Sequence, residues 1–503
     1  MAPDKKNHYY NYYNNNNNNN YYFQAVSFPF KRLLRITYPL LILFAIFTFY
    51  FSYIDCFIDP LELRCLKENY DDIETTPPIQ NAILTEEKFI TYLPHSQFHN
   101  QLIELKNAIV IAYLTNRTLI VPSILQSDHH TLNIAHSRLY NLYHQIINYT
   151  NIKKDRLLCD VKYSDYCSSE YKKYDSFELI NWEEIIDFNW VKNYVKIIHR
   201  GYDFSIEGLF DTCNIIIDDT KNNTSIQELL DDNKDIYVIS NDNKYHYRFF
   251  DTENPHNNYI LNKYETPYLI SDLRKRDEKL IHLDTLFGST KIDFRDKDVI
   301  KWRIDMLRSL KISHPILLDV SNNIINELGG FGNFLGAHVR ASDGRFKKNF
   351  GKIIDHVIEM LKFHPQNISN QTSNNNNNSS DIITLNDCKK LNKRIIFIAT
   401  DSSNVHVQLS KIFSTFPCVF TMEDFDSLVD PLRKIPYTFD RNANMANFFY
   451  PLLDLLIVSN AMDVIITYSS TFSGFAKYYH EVLAFERESL KNNHNITKIR
   501  GGE

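Results

Sequence analysis

A basic excess is missing from this chain. Its 503 residues hold 55 Lys and Arg against 61 Asp and Glu, a formal net charge of −6. No cationic surplus is available to neutralise phosphate backbones, which excludes nucleic acid as the main partner. Cysteine is sparse, seven residues in all, and no Cys/His spacing matches a zinc site. Long apolar runs are absent but for one. Ile36–Ile54 carries no charge and is just long enough to cross a bilayer. Lys31, Arg32 and Arg35 precede it and Asp55, Asp59 and Glu62 follow, so the positive-inside rule keeps the N-terminus cytosolic and the remainder luminal. A small-x-small cleavage site is also missing after the run. The expectation is an uncleaved signal anchor: a single-pass type II protein of the Golgi or endoplasmic reticulum membrane.

What is present is a globular body. The hydrophobic fraction is 44%, and Tyr (32) and Phe (34) are abundant. The length is too great for one core. Residues 1–32 are an Asn/Tyr-rich cytosolic tail, 33–54 the transmembrane anchor and 55–85 a luminal stem. Two α/β domains then meet near residue 290, one over 86–290 and one over 291–503, the second carrying an Asn/Ser-rich insertion at 365–382 that cannot offset its ordering entropy. A luminal setting permits disulfides among Cys65, Cys159, Cys167, Cys213, Cys388 and Cys418, with Cys159 and Cys167 near enough in sequence to pair. It also makes the sequons at Asn148, Asn222, Asn223, Asn367, Asn370 and Asn495 available for glycosylation.

Periodicity supplies the elements. A strand over Phe89–Leu93, a polar loop over Pro94–Asn100, a helix over Gln101–Asn116 and a strand over Thr118–Val121 form a βαβ unit, which implies a parallel sheet. A helix over Phe177–Phe188 and strands over Tyr194–Ile198, Ile215–Ile217, Ile236–Ile239 and Ile281–Leu283 complete the first half. The second alternates in the same way. Helices Trp302–Leu310 and Pro315–Leu328 lead to a strand ending in Gly336–Ala337–His338–Val339–Arg340. Helix Lys352–Phe363, strand Arg394–Thr400, helix Asn404–Phe413, strand Cys418–Thr421, helix Met445–Asn460, strand Asp463–Thr467 and helix Ser473–Leu483 follow. Two Rossmann-like domains facing a cleft, a GT-B type architecture, is the fold this order predicts.

Three strand–loop–helix junctions concentrate the chemistry, at the strand ends where open α/β sheets bind ligands. Ser470, Thr471, Phe472 and Ser473 place hydroxyls and amides at a helix N-terminus, an anion site suited to a diphosphate. Arg340 supplies a fixed bidentate charge for a departing diphosphate, and His338, two residues before it, either bonds phosphate or holds Arg340. Asp401 ends its strand facing the same cleft, as a partner for ribose or base or as a helix N-cap. In the first half His95, His99 and Asn100 crowd one loop. His95 or His99 is a candidate general base, and Asn100 a donor to phosphate or sugar or a helix cap.

These residues carry a resemblance. Phe98–His99–Asn100–Gln101 resembles the Phe-x-Asn-Gln loop of the protein O-fucosyltransferase group of inverting glycosyltransferases, His338–Val339–Arg340 its His-x-Arg motif, and Ser470–Phe475 its Ser-Ser-Phe-(Ser/Thr)-x-Phe segment. Ala399–Thr400–Asp401–Ser402 is similar to its nucleotide-binding turn. The resemblance spans roughly residues 88–485. It implies GDP-fucose as donor, no metal, a protein or glycan hydroxyl as acceptor, and Arg340 as the group that stabilises the β-phosphate. No Glu stands beside Asn100 to serve as the base used in one branch of the group. Two rivals remain at this stage. Asp424–Phe425–Asp426 and Asp296–Lys297–Asp298 offer the Asp-x-Asp of a metal-dependent glycosyltransferase, and the same fold serves non-catalytic glycan binding equally well.

Overall fold

The computed structural model describes residues 86–94, 96–126, 178–201, 206–216, 230, 233–240, 247–252, 266–288, 290–342, 344–364, 384–436 and 445–500. The expected anchor Ile36–Ile54, the Cys159/Cys167 pair, His95 and the insertion at 365–382 lie outside the described residues. None of the helices searched among them is long and apolar enough to cross a membrane.

Two parallel sheets organise the body. The first has strands β1 (Phe89–Thr91), β2 (Thr118–Val121), β3 (Ile197–His199), β4 (Ile236–Ile239) and β5 (Leu280–Leu283), in the order β3-β2-β1-β5-β4. The second has β6 (Leu335–Val339), β7 (Ile396–Thr400), β8 (Val419–Phe420) and β9 (Val464–Ile465), in the order β8-β7-β6-β9. Both are parallel throughout. Their central strands read as unbroken apolar runs because helices cover both faces: Ile120, Val121, Phe397, Ile398 and Ala399 are fully buried. A three-stranded parallel sheet of 247–250, 266–269 and 292–293 and an antiparallel pair of 124–126 with 178–180 flank the first sheet.

The helices follow from their spacing. In α1 (Phe98–Thr115), Leu102, Leu105, Ala108, Ile109 and Ala112 are buried, and Asn116 ends the helix in the left-handed conformation. In α2 (Pro315–Glu327) proline sits at the first helical position and His314 accepts from the Leu317 amide. In α3 (Phe350–Phe363) the buried Ile354, Val357, Ile358 and Leu361 form one stripe. Helix α4 (Ala446–Ser459) is buried on nearly every side, and α5 (Thr471–Arg500) begins at the hydroxyl-rich junction. The largest apolar cluster takes side chains from both sheets, Ile90 and Phe397 among them.

Four expectations are corrected. The helix expected over 177–188 is not seen in its described part, 178–188: Glu178–Ile180 is a strand paired with Ile124–Gln126, and only Trp182–Ile185 is helical, capped by the Asn181 side chain. Ile215 and Ile216 form no strand, because they follow the helix Ile206–Cys213 directly. The helix expected over 404–413 is two short ones, Val405–Gln408 and Ser410–Thr415. The loop before α1 ends at Gln97, whose carbonyl accepts from the Asn100 and Gln101 amides, so His99 and Asn100 stand on the first turn of the helix. Cys388 and Cys418 form a disulfide, and Cys213 is a buried free thiol.

One glycine fixes the distance between a strand and a helix. A Cβ on Gly336 would lie 2.9 Å from the Val458 carbonyl oxygen and 3.0 Å from the Ala461 Cβ. Helix α4 therefore lies directly on β6, two residues before His338. Gly336→Ala should destabilise the protein by about 1–3 kcal/mol through overpacking, read as a lower urea midpoint with an unchanged slope. An unchanged midpoint would show that the helix can move away freely.

Candidate active site

Strand β6 alternates its side chains. Leu335, Ala337 and Val339 enter the cluster beneath α3, while His338 points to the opposite face, where α4 and α5 lie. His338 is buried and its Nδ1 is 2.6 Å from the Ser473 hydroxyl. That hydroxyl also accepts from the Thr467 amide at 3.0 Å. Thr467 in turn donates to the His338 carbonyl at 2.6 Å and accepts from the Arg340 amide at 3.2 Å. The end of β6 and the start of α5 are thus one stitched unit. The Phe472 ring lies against the His338 ring at 4.3 Å.

Arg340 emerges just past the strand and is held by Asp401 at the end of β7, Nη1 to Oδ2 3.1 Å. Asp401 also accepts from the Ala341 amide at 2.6 Å, the Ser342 amide at 3.3 Å and the Ser342 hydroxyl. Burial pushes the Asp401 carboxyl up, but the Arg340 guanidinium, the Ser342 hydroxyl and the Ala341 amide outweigh it and hold the group below its usual range. With this many donors on one carboxylate, Asp401 secures Arg340 and the turn after β6. It is not the cap of the helix that follows.

The Ser470–Ser473 junction divides its hydroxyls between two tasks. Ser470 and Ser473 are buried; Ser470 Oγ accepts from the Ser473 amide and Ser473 serves His338 and Thr467. Thr471 is exposed, and the first-turn amides of α5 have no intrahelical acceptor, as at any helix start. Ser469, in the left-handed conformation (φ 64°), turns the chain into that helix, and its carbonyl accepts from Arg345 at 3.0 Å.

Helix α1 brings the first half to the same place. The His99 ring lies 5.0 Å from Phe472 and 5.5 Å from Phe475, and Phe98 lies 5.8 Å from Phe448 on α4. Lys106, one face further along, sits over Phe475 and Tyr478. Gln101 is structural: its amide donates to the Ser96 and Leu125 carbonyls and its oxygen accepts from the Leu125 amide. His99 Nε2 and Asn100 Oδ1 are buried without a hydrogen-bond partner. Burial brings both His338 and His99 down to about 3, the latter with help from His338, Arg340 and Lys106. Both rings are neutral at physiological pH, so His99 is poorly matched to the proton-accepting role expected of it.

A cavity of about 340 Å³ opens beside Asp401, lined by Thr400, Ser402, Thr421, Met422, Tyr450 and Asp454 among others. Asp454, on α4, has a buried Oδ1 with no partner, and burial raises its carboxyl well above the usual range. Sequence reasoning passed over it, although a lone acid within Phe448–Pro451–Leu452–Leu453–Asp454–Leu455–Leu456 was a visible signal. Thr467 was missed as well. Three of the four rival Asp-x-Asp acids are engaged otherwise: Asp424 closes a capping box on Thr421, Asp426 pairs with Arg433, and Asp296 caps the helix Lys297–Ser309.

Comparison with known proteins identifies a family. The sequence model described as GDP-fucose protein O-fucosyltransferase matches residues 89–483. O-fucosyltransferase 30 of Arabidopsis thaliana is 48% identical over 63 residues, a match spanning 12% of each chain. Among solved structures, POFUT1 in complex with GDP-fucose aligns with 78% of this chain and 94% of its own at 11% identity and a TM-score of 0.36. NodZ alpha-1,6-fucosyltransferase soaked with GDP-fucose aligns with 78% and 92% at 13% identity and the same TM-score, 0.36. With the family match running from β1 into α5 and through every junction described above, the chain belongs to the GDP-fucose protein O-fucosyltransferase family.

Proposed function

We propose that this protein transfers fucose from GDP-fucose to a protein or glycan hydroxyl with inversion, in the cleft of a GT-B type pair of Rossmann-like domains and with no metal ion taking part. The observation that carries the reading is the Arg340–Asp401 pair set beside the open helix start at Thr471. Breaking the anomeric bond builds negative charge on the β-phosphate. A guanidinium already oriented by Asp401 answers that charge without reorganising, so its contribution is largest in the transition state. The Thr471 hydroxyl and the Thr471 and Phe472 amides take the remaining phosphate oxygens, and Asn100 on α1 supplies a further donor. His338 and Ser473 hold the loop to the strand rather than touch the ligand.

Removing Arg340 should cost on the order of 3–4 kcal/mol of transition-state stabilisation, a hundredfold or more in kcat. Lysine keeps the charge but loses the fork, so Arg340→Lys should stay severely impaired. Asp401→Asn should lower kcat more than it raises KM, because the guanidinium loses its orientation. Steady-state kinetics with GDP-fucose on folded variants decides the matter: near-normal turnover by Arg340→Ala would overturn the assignment.

The cavity beside Asp401 suits the base. Guanine presents N1–H and N2–H donors side by side, and the unpartnered Asp454 carboxylate accepts both when ionised. Burial favours the protonated acid in the empty protein, whereas two N–H donors favour the carboxylate, so binding releases a proton wherever the empty group still holds one. GDP affinity should therefore rise with pH and level off above the raised pKa of Asp454. In Asp454→Asn the pH dependence should vanish and the preference for GDP over ADP should fall about tenfold or more. Titration calorimetry across pH measures both, and an unchanged preference in the variant would remove Asp454 from base recognition.

The same reading places the enzyme in the Golgi or endoplasmic reticulum membrane through Ile36–Ile54, with the body luminal and the flanking charges as support. Protease added to sealed microsomes should leave a C-terminal epitope intact until detergent is added. Digestion before detergent would reverse the topology.

A further inference from the structure

His99 occupies the second position of α1 and is packed by aromatic edges. Phe98 lies 5.4 Å away, Phe472 5.0 Å and Phe475 5.5 Å, at interplanar angles of 90°, 68° and 63°. These rings fix the plane of the imidazole yet offer it no hydrogen bond. Its Nε2 is buried with no partner, and so is Oδ1 of the adjacent Asn100. What sets these two atoms apart is their place: they sit on neighbouring residues against Phe472 at the α5 junction, where a polar ligand can complete them. The charged and titratable groups facing the ring are Arg340, Lys106 and His338. A cationic surround of this kind keeps the imidazole neutral, with its pKa brought to about 3 chiefly by burial.

The parts of the donor can be assigned in turn. The diphosphate has Arg340, the Thr471 hydroxyl and the amides of Thr471 and Phe472, and the base has the Asp454 cavity. The hexose between them remains, and its ring hydroxyls are the polar groups that a neutral imidazole and an amide recognise together. We propose that His99 recognises the transferred sugar, its Nε2 hydrogen-bonding a hydroxyl of the fucosyl group. This rests on the nucleotide-sugar reading above and replaces the general-base role that the sequence suggested for the same residue.

The test separates sugar from nucleotide. GDP and GDP-fucose are titrated into the full chain, into His99→Phe, which keeps the ring packing but has no polar atom, and into His99→Gln, which restores an amide. The His99→Phe variant should bind GDP within about twofold of the parent but GDP-fucose about tenfold more weakly. His99→Gln should recover most of that loss. His99→Asn, too short to reach the sugar, shows the same selective loss if His99→Phe does not fold. In the parent the ratio of the two dissociation constants should be constant from about pH 5.5 to 8.5, since a ring of such low pKa does not titrate there. Equal weakening of both ligands, or of neither, would overturn the proposal, as would a ratio that tracks protonation near pH 6.5. Failure of the parent to bind GDP at all would overturn the nucleotide reading itself, and this proposal with it.

Discussion

Asp401 and Arg340 are the contact on which the rest of the site depends. Two adjacent parallel strands, β6 and β7, end side by side, and their registers place His338 opposite Ala399 and Val339 opposite Thr400. The residues immediately beyond are then forced together, one cationic and one anionic. A single carboxylate holds the guanidinium and also receives both amides of the turn that follows it. Removing either charge deletes the ion pair that fixes the guanidinium against the end of β7. Fixing the charge in advance is what a site needs when the transition state, and not the substrate, carries the extra negative charge.

Around that pair the polar groups are mostly used up in holding shape. His338, Thr467, Ser470 and Ser473 bond one another across β6, β9 and the start of α5. Their burial makes the network stiff and the imidazole neutral. The groups left for a ligand are few and separated: an exposed hydroxyl at Thr471, orphaned atoms on His99 and Asn100, and an unpaired carboxyl at Asp454. They lie on α5, α1 and α4, so the site exists only once both halves of the body are packed together. Phe98 against Phe448 and Lys106 over Phe475 and Tyr478 are part of that packing.

Much of this was legible in the sequence. Thr118–Val121 and Ile236–Ile239 read correctly as strands because short β-branched and apolar runs bounded by polar residues fit a sheet in the core or at its edge. The three junctions, Arg340 and the family resemblance came from local residue order. What escaped depends on distant partners. Residues 177–188 have a helical pattern, but Glu178–Ile180 is drawn into pairing with Ile124–Gln126, and tertiary contact overrides propensity. The cluster of hydroxyls at Ser470–Ser473 pointed to a ligand, whereas two of them are consumed by His338, Thr467 and their own helix, a division no local sequence window could specify. The tight seat of Gly336 against Val458 is equally non-local.

The two histidines show why composition alone misleads about catalysis. On its polar stretch of sequence His99 reads as a proton carrier with a pKa near 6.5, whereas His338, in an apolar strand, reads as a partner for phosphate or for Arg340. In the folded protein burial pushes each ring to about 3, with Arg340 and Lys106 adding to the effect at His99, and Asp401 opposing it at His338. The linkage has a definite sign. A histidine whose folded pKa lies below its unfolded value leaves the unfolded chain binding more protons as the pH falls below about 6.5. Stability present above that pH is therefore lost progressively between about 6.5 and 3. In the fucosyl transfer proposed above, neutral imidazoles beside Arg340 would keep the positive charge at the departing diphosphate. A protonated ring nearby would compete for the same phosphate oxygens and bind donor and transition state alike, which strengthens ground-state binding without raising turnover. Keeping the histidines uncharged costs some stability in acid; in the reaction proposed above it would leave Arg340 as the cation that distinguishes donor from transition state.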